Sequence, residues 1–156
     1  HLQTQNTSYI MKVAKSGHLL NLYYGKKIRH RSDFRSLEQS FGIAVGNATT
    51  YNPDDPCFDL DTERLEFPTF GKGDYREAIA HFVFDDGSRI SDFHYHSHQV
   101  LAEKPELDGL PHTFGTGLPT LVIEADMADS RAFAAGPTRT RIDAFVELLA
   151  AQPLGV

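Results

Sequence analysis

The sequence contains a single cysteine, no tryptophan and no apolar run long enough to cross a bilayer. The lone thiol, Cys57, excludes an internal disulfide and suits a reducing compartment, so the expected location is cytoplasmic. A basic excess is also missing. Lys and Arg number 15 against 21 Asp and Glu, and a net charge of −6 with scattered cations argues against a nucleic-acid surface. No membrane partner is expected either. The chain opens at His1 without a Met or a signal-like segment, which leads to the expectation of a piece of a longer polypeptide. The sequons Asn6-Thr7-Ser8 and Asn47-Ala48-Thr49 matter only in a eukaryotic secretory route and are read as chance matches.

What is present is ordinary globular chemistry: 156 residues, enough for one domain with a real core. Residues 58–76 (FDLDTERLEFPTFGKGDYR) join two patterned halves. Pro68 blocks a helix there, Gly71 and Gly73 permit unusual backbone angles, and Leu60, Leu65, Phe67, Phe70 and Tyr75 supply apolar surface. An extended crossing, pinned by Asp74 and Arg76, is the expectation. Before it, Tyr9, Met11 and Val13 alternate with polar or small residues, Lys15-Ser16-Gly17 turns, and Leu20, Leu22 and Tyr24 alternate again, which predicts a hairpin. Ser32 is positioned to cap a short helical turn through Glu38, with a loop as the alternative. Residues 42–56 are rich in Gly, Asn, Thr, Pro and Asp and read as loop.

Beyond the crossing, residues 79–84 are expected to be a strand. Asp85-Asp86-Gly87-Ser88 is expected to be a tight turn, because Asp-Gly tolerates positive φ. A return strand over 89–101 should follow, then a turn-rich joint at 105–111 and another strand at 120–124. From residue 125 the chain becomes alanine-rich. Ile142, Phe145, Val146 and Leu149 fall at helical spacing, Thr140 is positioned as a cap with Asp143 three residues on, and Pro153 as a stop. A helix over 140–152 is therefore expected.

Several residues invite a chemical reading. His94, His96 and His98 stand at i, i+2 and i+4, which on a regular strand puts three imidazoles on one face, a set able to hold zinc. Phe93 and Tyr95 would then take the buried face, so the histidines read as a solvated face and no metal is expected. Cys57 has no local base or cation to form a thiolate and reads as a loop or buried thiol. Asp74 and Arg76 read as structural bridges, and Gly71-Lys72-Gly73 as a turn without the helix a phosphate loop needs.

In order, the segments HLQTQNTSYIMKV, GHLLNLYYGKKIRHR, FDLDTERLEFPTFGKGDYRE, DDGSRISDFHYHSHQV and KPELDGLP resemble the amino-terminal domain of glycoside hydrolase family 36, the bacterial and fungal α-galactosidases. The resemblance covers roughly residues 1–124. It implies a mainly β fold: an antiparallel β-sandwich, part of a β-supersandwich that precedes a catalytic (β/α)8 barrel and a small β domain. The composition after residue 124 departs from that pattern. The chain is accordingly read as two regions, a partial sandwich at 1–124 and an atypical Ala-rich tail at 125–156, the latter expected from a shifted frame, a gene break or a fusion.

Retaining glycosidases need two carboxylates about 5–5.5 Å apart. In family 36 the nucleophile is the Asp of a Lys-Trp-Asp motif on a barrel strand, and a chain without tryptophan cannot contain that motif. The resemblance thus implies a non-catalytic part of an enzyme that cleaves terminal α-galactosides such as melibiose or raffinose, with no metal or organic cofactor. It further implies a homo-oligomer, a tetramer in some members, in which this domain lines a neighbour's sugar site through a Leu-Asp-x-x-Phe segment. The matching stretch is Leu37-Glu38-Gln39-Ser40-Phe41, which makes Glu38 the expected substrate-binding residue, with Glu where the family has Asp. The alternative is a stand-alone carbohydrate-binding or scaffold β-sandwich module without catalysis.

Overall fold

Alternating apolar residues around a Lys-Ser-Gly turn form the hairpin they predict. The computed structural model describes residues 1–30, 32–39, 51–56, 58–105, 109 and 117–127, together with the backbone of 141–146. Within it, β2 (Thr7–Val13) pairs antiparallel with β3 (Leu19–Lys26), and β1 (Leu2–Gln3) adds to the free edge of β2. The turn is closed by Gly17 N–H to Ala14 O at 3.0 Å and Ala14 N–H to His18 O at 2.8 Å. Gly17 holds φ +90°, a region closed to most side chains. The register shifts between Ile10 and Met11, leaving Leu22 as the extra residue of a bulge. Ser8, Ile10 and Leu22 are the buried residues of the hairpin strands.

A second antiparallel sheet joins β4 (Phe93–Leu101), β5 (Thr120–Met127) and β6 (Arg141–Val146) in that order. Its core is Phe93 with Leu121, Val122 and Ile123, all buried. Phe67 meets Phe93 edge to face and Phe82 packs tilted against it, with ring centroids 5.4 and 5.3 Å away, arrangements that add to simple area burial.

The crossing at 58–76 ties the two sheets together, as its composition suggests. Asn21 N–H donates to Arg64 O and Glu66 N–H to Leu19 O, both at 2.8 Å, so this segment pairs briefly along β3. At its other end Ser91 N–H donates to Phe70 O at 3.0 Å and the Thr69 hydroxyl to Ser91 O at 2.7 Å. The turn between uses Gly71 at φ +101°, where a Cβ would come within 2.9 Å of Ile90. Arg76 fixes the whole piece. Its guanidinium donates to the Asp74 carboxylate (Nε–Oδ1 2.9 Å, Nη2–Oδ2 3.1 Å) and to the carbonyls of Leu60 (2.7 Å) and Glu63 (2.6 Å).

Four expectations need correction. Residues 79–84 are not a strand: among the described residues no strand pairs with them, and Ile79 and Val83 stand 59% and 68% exposed. Only the turn after them forms, with Phe84 N–H to Ser88 O at 3.0 Å. The return strand begins at Phe93 and not at Arg89, because Ser91 and Asp92 turn inward to make side-chain and crossing contacts. Over Arg141–Val146 the predicted helix is replaced by strand, paired with β5 from Leu121↔Val146 to Asp126↔Arg141. A helix of that length is marginal in water, whereas an open edge on a buried strand offers a full ladder. The remainder of 140–152 lies outside the described residues. The turn near Ser32 reduces to one 3-10 turn, Arg35–Leu37, entered from Phe34 without a side-chain cap.

Removing the Arg76 guanidinium leaves the buried Asp74 carboxylate without its cation. Arg76→Ala should cost about 3 kcal/mol in a denaturant titration, and Arg76→Lys should recover only part, since a single ammonium cannot reach both carboxylate oxygens and two carbonyls. A loss within the error of the titration would show that the bridge is dispensable.

Glu66 gives a pH signature. Its carboxylate accepts from the Tyr9 hydroxyl and from Asn21 Nδ2, and burial pushes its pKa above the ordinary 4.5. A carboxyl with a raised folded-state pKa disfavours folding when ionised, so the cost is absent below pH 4.5 and develops as pH rises through the folded value. The unfolding free energy of the native chain minus that of Glu66→Gln should therefore fall between acid and neutral pH. A flat difference would contradict this.

Candidate functional site

The hairpin turn and the start of β4 bring together side chains that lie far apart in sequence. His18 follows the positive-φ Gly17, and its ring is directed inward and buried. Asp92, only 2% exposed, precedes β4, and its Oδ1 accepts from His18 Nε2 at 2.8 Å. Tyr51 donates its hydroxyl to Asp92 Oδ2 at 2.8 Å and contacts His94 Nε2 at the same distance. His94 Nε2 is 3.4 Å from Asp92 Oδ2. An ionised carboxylate only accepts, so with Tyr51 donating to Asp92 the His94 Nε2–H is shared between the Tyr51 oxygen and Asp92 Oδ2. His18 is completed on its far side by Ser16 Oγ, 2.9 Å from Nδ1.

The electrostatics follow from this enclosure. Burial works to raise the Asp92 pKa, but the hydrogen bonds from His18 and His94, the attraction of His18 and the Tyr51 hydroxyl outweigh it. The carboxyl is held well below the usual range. Burial pushes the Tyr51 phenol well above its normal value, and the Asp92 charge and hydrogen bond add to that. At neutral pH the centre is thus an ionised carboxylate faced by a neutral phenol and two imidazoles.

The backbone fixes this centre. Tyr95 N–H donates to Gly17 O at 2.8 Å, clamping the hairpin turn onto β4. A Cβ on Gly17 would lie 3.2 Å from the His94 side chain. One wall of the cluster opens into a cleft of about 590 Å³ lined by Tyr51 and His94 and, further along, by Phe58, Arg64, Lys12 and Glu38. Glu38 follows the 3-10 turn and pairs with Lys12 Nζ at 2.7 Å. The Arg64 guanidinium donates to Gln39 Oε1 at 3.3 Å across the same cleft.

Of the residues singled out in the sequence, Glu38 and His94 share the cleft. Ser40, Phe41 and Cys57 lie outside the described residues. The three-histidine face does not form. The β4–β5 register shifts between Tyr95 and Ser97, so one residue is bulged and the alternation inverts. His94 faces Asp92; His96 pairs with Asp126 at 2.9 Å; His98 lies on the Tyr95 side, its Nδ1 2.7 Å from the phenol oxygen. His18, Tyr51 and Asp92 carried no signal of a site. Two of them do fall inside quoted segments, GHLLNLYYG and SRISDFHYH.

The fold defines a class first: a mainly β, antiparallel domain superposable on part of bacterial α-galactosidases. The solved α-galactosidase from Lactobacillus brevis matches with a TM-score of 0.71 and 32% identity, over 81% of this chain and 17% of that one. A variant of α-galactosidase AgaA from Geobacillus stearothermophilus in complex with raffinose matches with a TM-score of 0.67 at 30% identity, over 84% and 18%. By sequence, AgaA of that organism is 34% identical over 116 residues, 73% of this chain and 15% of the relative. A model of the glycosyl hydrolase family 36 N-terminal domain matches residues 17–134, and the chain belongs to that family. It spans less than a fifth of the length of these relatives.

Gly17→Ala should strain both the backbone and the His94 contact. We expect a loss of about 1–3 kcal/mol and a shifted Tyr51–His94 hydrogen bond, read by thermal unfolding and by the His94 imidazole resonances. An unperturbed His94 signal would show that the turn does not position it.

Proposed function

We propose that the chain is the non-catalytic amino-terminal part of a retaining α-galactosidase that cleaves terminal α-galactosyl groups from oligosaccharides of the raffinose type, working in the cytoplasm as a homo-oligomer. The observation that carries this reading is the match of an N-terminal domain model to residues 17–134, while the chain spans only 15% of a 34% identical α-galactosidase. The complexes of relatives with raffinose and stachyose support the substrate class. In the same reading residues 1–124 are part of a β-supersandwich and 125–156 a region of different composition, from which β6 and the end of β5 complete the second sheet. No helix among the described residues is long and apolar enough to cross a membrane.

Glu38 is the residue proposed to meet substrate. Its carboxylate lies in the cleft wall, held by an ion pair with Lys12 in which both side chains remain part-exposed. Such a pair contributes little stability, about 0–1 kcal/mol, so its loss should spare the fold. A charged hydrogen bond to a sugar hydroxyl is worth about 1.5–3 kcal/mol, and its loss should be felt in turnover.

The purified chain should show no turnover of an aryl α-galactoside, since it contains no tryptophan and hence no Lys-Trp-Asp motif. Measurable hydrolysis by contaminant-free protein would defeat the proposal. With the domain in a full-length family 36 enzyme, Glu38→Ala should lower kcat/KM by the 1.5–3 kcal/mol of that hydrogen bond (roughly tenfold to more than a hundredfold) with an unchanged unfolding midpoint. Unaltered kinetics in an intact oligomer would leave Glu38 as a cleft-edge charge paired to Lys12.

A further inference from the structure

We propose that His18, Asp92 and His94 form a binding site for one divalent transition metal, zinc by donor chemistry, which fastens the hairpin turn to β4. One ligand atom from each of the three lies within 4.8 Å of the other two. His18 Nε2 to Asp92 Oδ1 is 2.8 Å and His94 Nε2 to Asp92 Oδ2 is 3.4 Å. These separations bracket about 3.3 Å, the edge of a tetrahedron whose metal–ligand bonds are about 2.0–2.1 Å. Small rotations of the rings would therefore seat an ion without moving the backbone.

The donor set is selective. Two imidazoles and one carboxylate suit zinc and its first-row neighbours, whereas calcium and magnesium take oxygen ligands. Both imidazoles would bind as neutral groups through Nε2, with the proton on Nδ1. Ser16 Oγ, 2.9 Å from His18 Nδ1, is placed to accept that proton's hydrogen bond, the kind of outer partner that orients metal-bound histidines. Asp92 would present Oδ1 on the His18 side and Oδ2 on the His94 side, and the Tyr51 hydroxyl would keep its hydrogen bond to a second lone pair of Oδ2. The ion would place positive charge beside a buried carboxylate, and the cleft bordered by Tyr51 and His94 provides the route in and a fourth position for water. This site is separate from the cleft wall at Glu38 and does not depend on the reading of sugar binding.

The test uses the whole chain, stripped with a chelator, then titrated with Zn²⁺ by calorimetry and with Co²⁺ by visible absorption. We expect one saturable site per chain, a Co²⁺ spectrum of tetrahedral type and a higher thermal midpoint with Zn²⁺. His94→Ala should weaken Zn²⁺ binding by about tenfold or more, whereas His98→Ala, on the opposite face of β4, should leave it unchanged. His94→Gln replaces His94→Ala if that variant does not fold. Absence of saturable binding by the native chain would overturn the proposal. So would unchanged affinity in the His94 variant, which would put the ion elsewhere, or an equal loss in His98→Ala.

Discussion

The structure depends on one buried carboxylate. Asp92 is sealed from water, and an ionised group in such a place is tolerated only when donors surround it. Those donors come from three separate parts of the chain: His18 from the first hairpin, Tyr51 from the loop and His94 from β4. Satisfying Asp92 thereby obliges the hairpin turn to sit against the second sheet, and the Gly17–Tyr95 backbone bond holds the same contact a few ångströms away. Two sheets with modest apolar cores are joined by a polar centre, and such a centre specifies geometry more sharply than apolar surface does.

The crossing supplies the second tie. It pairs along β3 at Arg64 and Glu66 and reaches the approach to β4 at Thr69 and Phe70. Arg76 spans from Asp74 to the carbonyls of Leu60 and Glu63, so the crossing is braced by charge-assisted bonds and not by regular ladder. The cleft lies between these ties, with Asn21 of β3, Arg64 of the crossing and His94 of β4 on its walls. Its position is a consequence of how the sheets are fastened.

Local rules were enough for what is local. Alternation at Tyr9–Val13 and Leu20–Tyr24 around a glycine turn announced the β2–β3 hairpin, though not that Ser8 and Ile10 would be its buried face. The short apolar run at 120–124 announced β5, and Pro68 with Gly71 and Gly73 announced an irregular crossing. What failed was decided by distant partners. Residues 79–84 carry strand-like residues but meet no ladder, and residues 141–146 carry a helical stripe but find the edge of β5. The site was legible only in part. Of the residues lining the cleft, Glu38 was singled out through a family motif that leaves its role a proposal, and His94 was noticed for a spacing that the bulge at His96 cancels. His18 and Asp92 are 74 residues apart, and no period or spacing connects them.

A double-mutant cycle on His18 and Asp92 tests the role of the buried carboxylate most directly. His18→Asn, Asp92→Asn and the pair would be compared by denaturant unfolding in the presence of a chelator. If the two side chains form the joint between the sheets, the losses should be strongly non-additive, with a coupling of about 1–3 kcal/mol. Additive losses would mean that His18 and Asp92 act independently and that the two sheets are held together by something else.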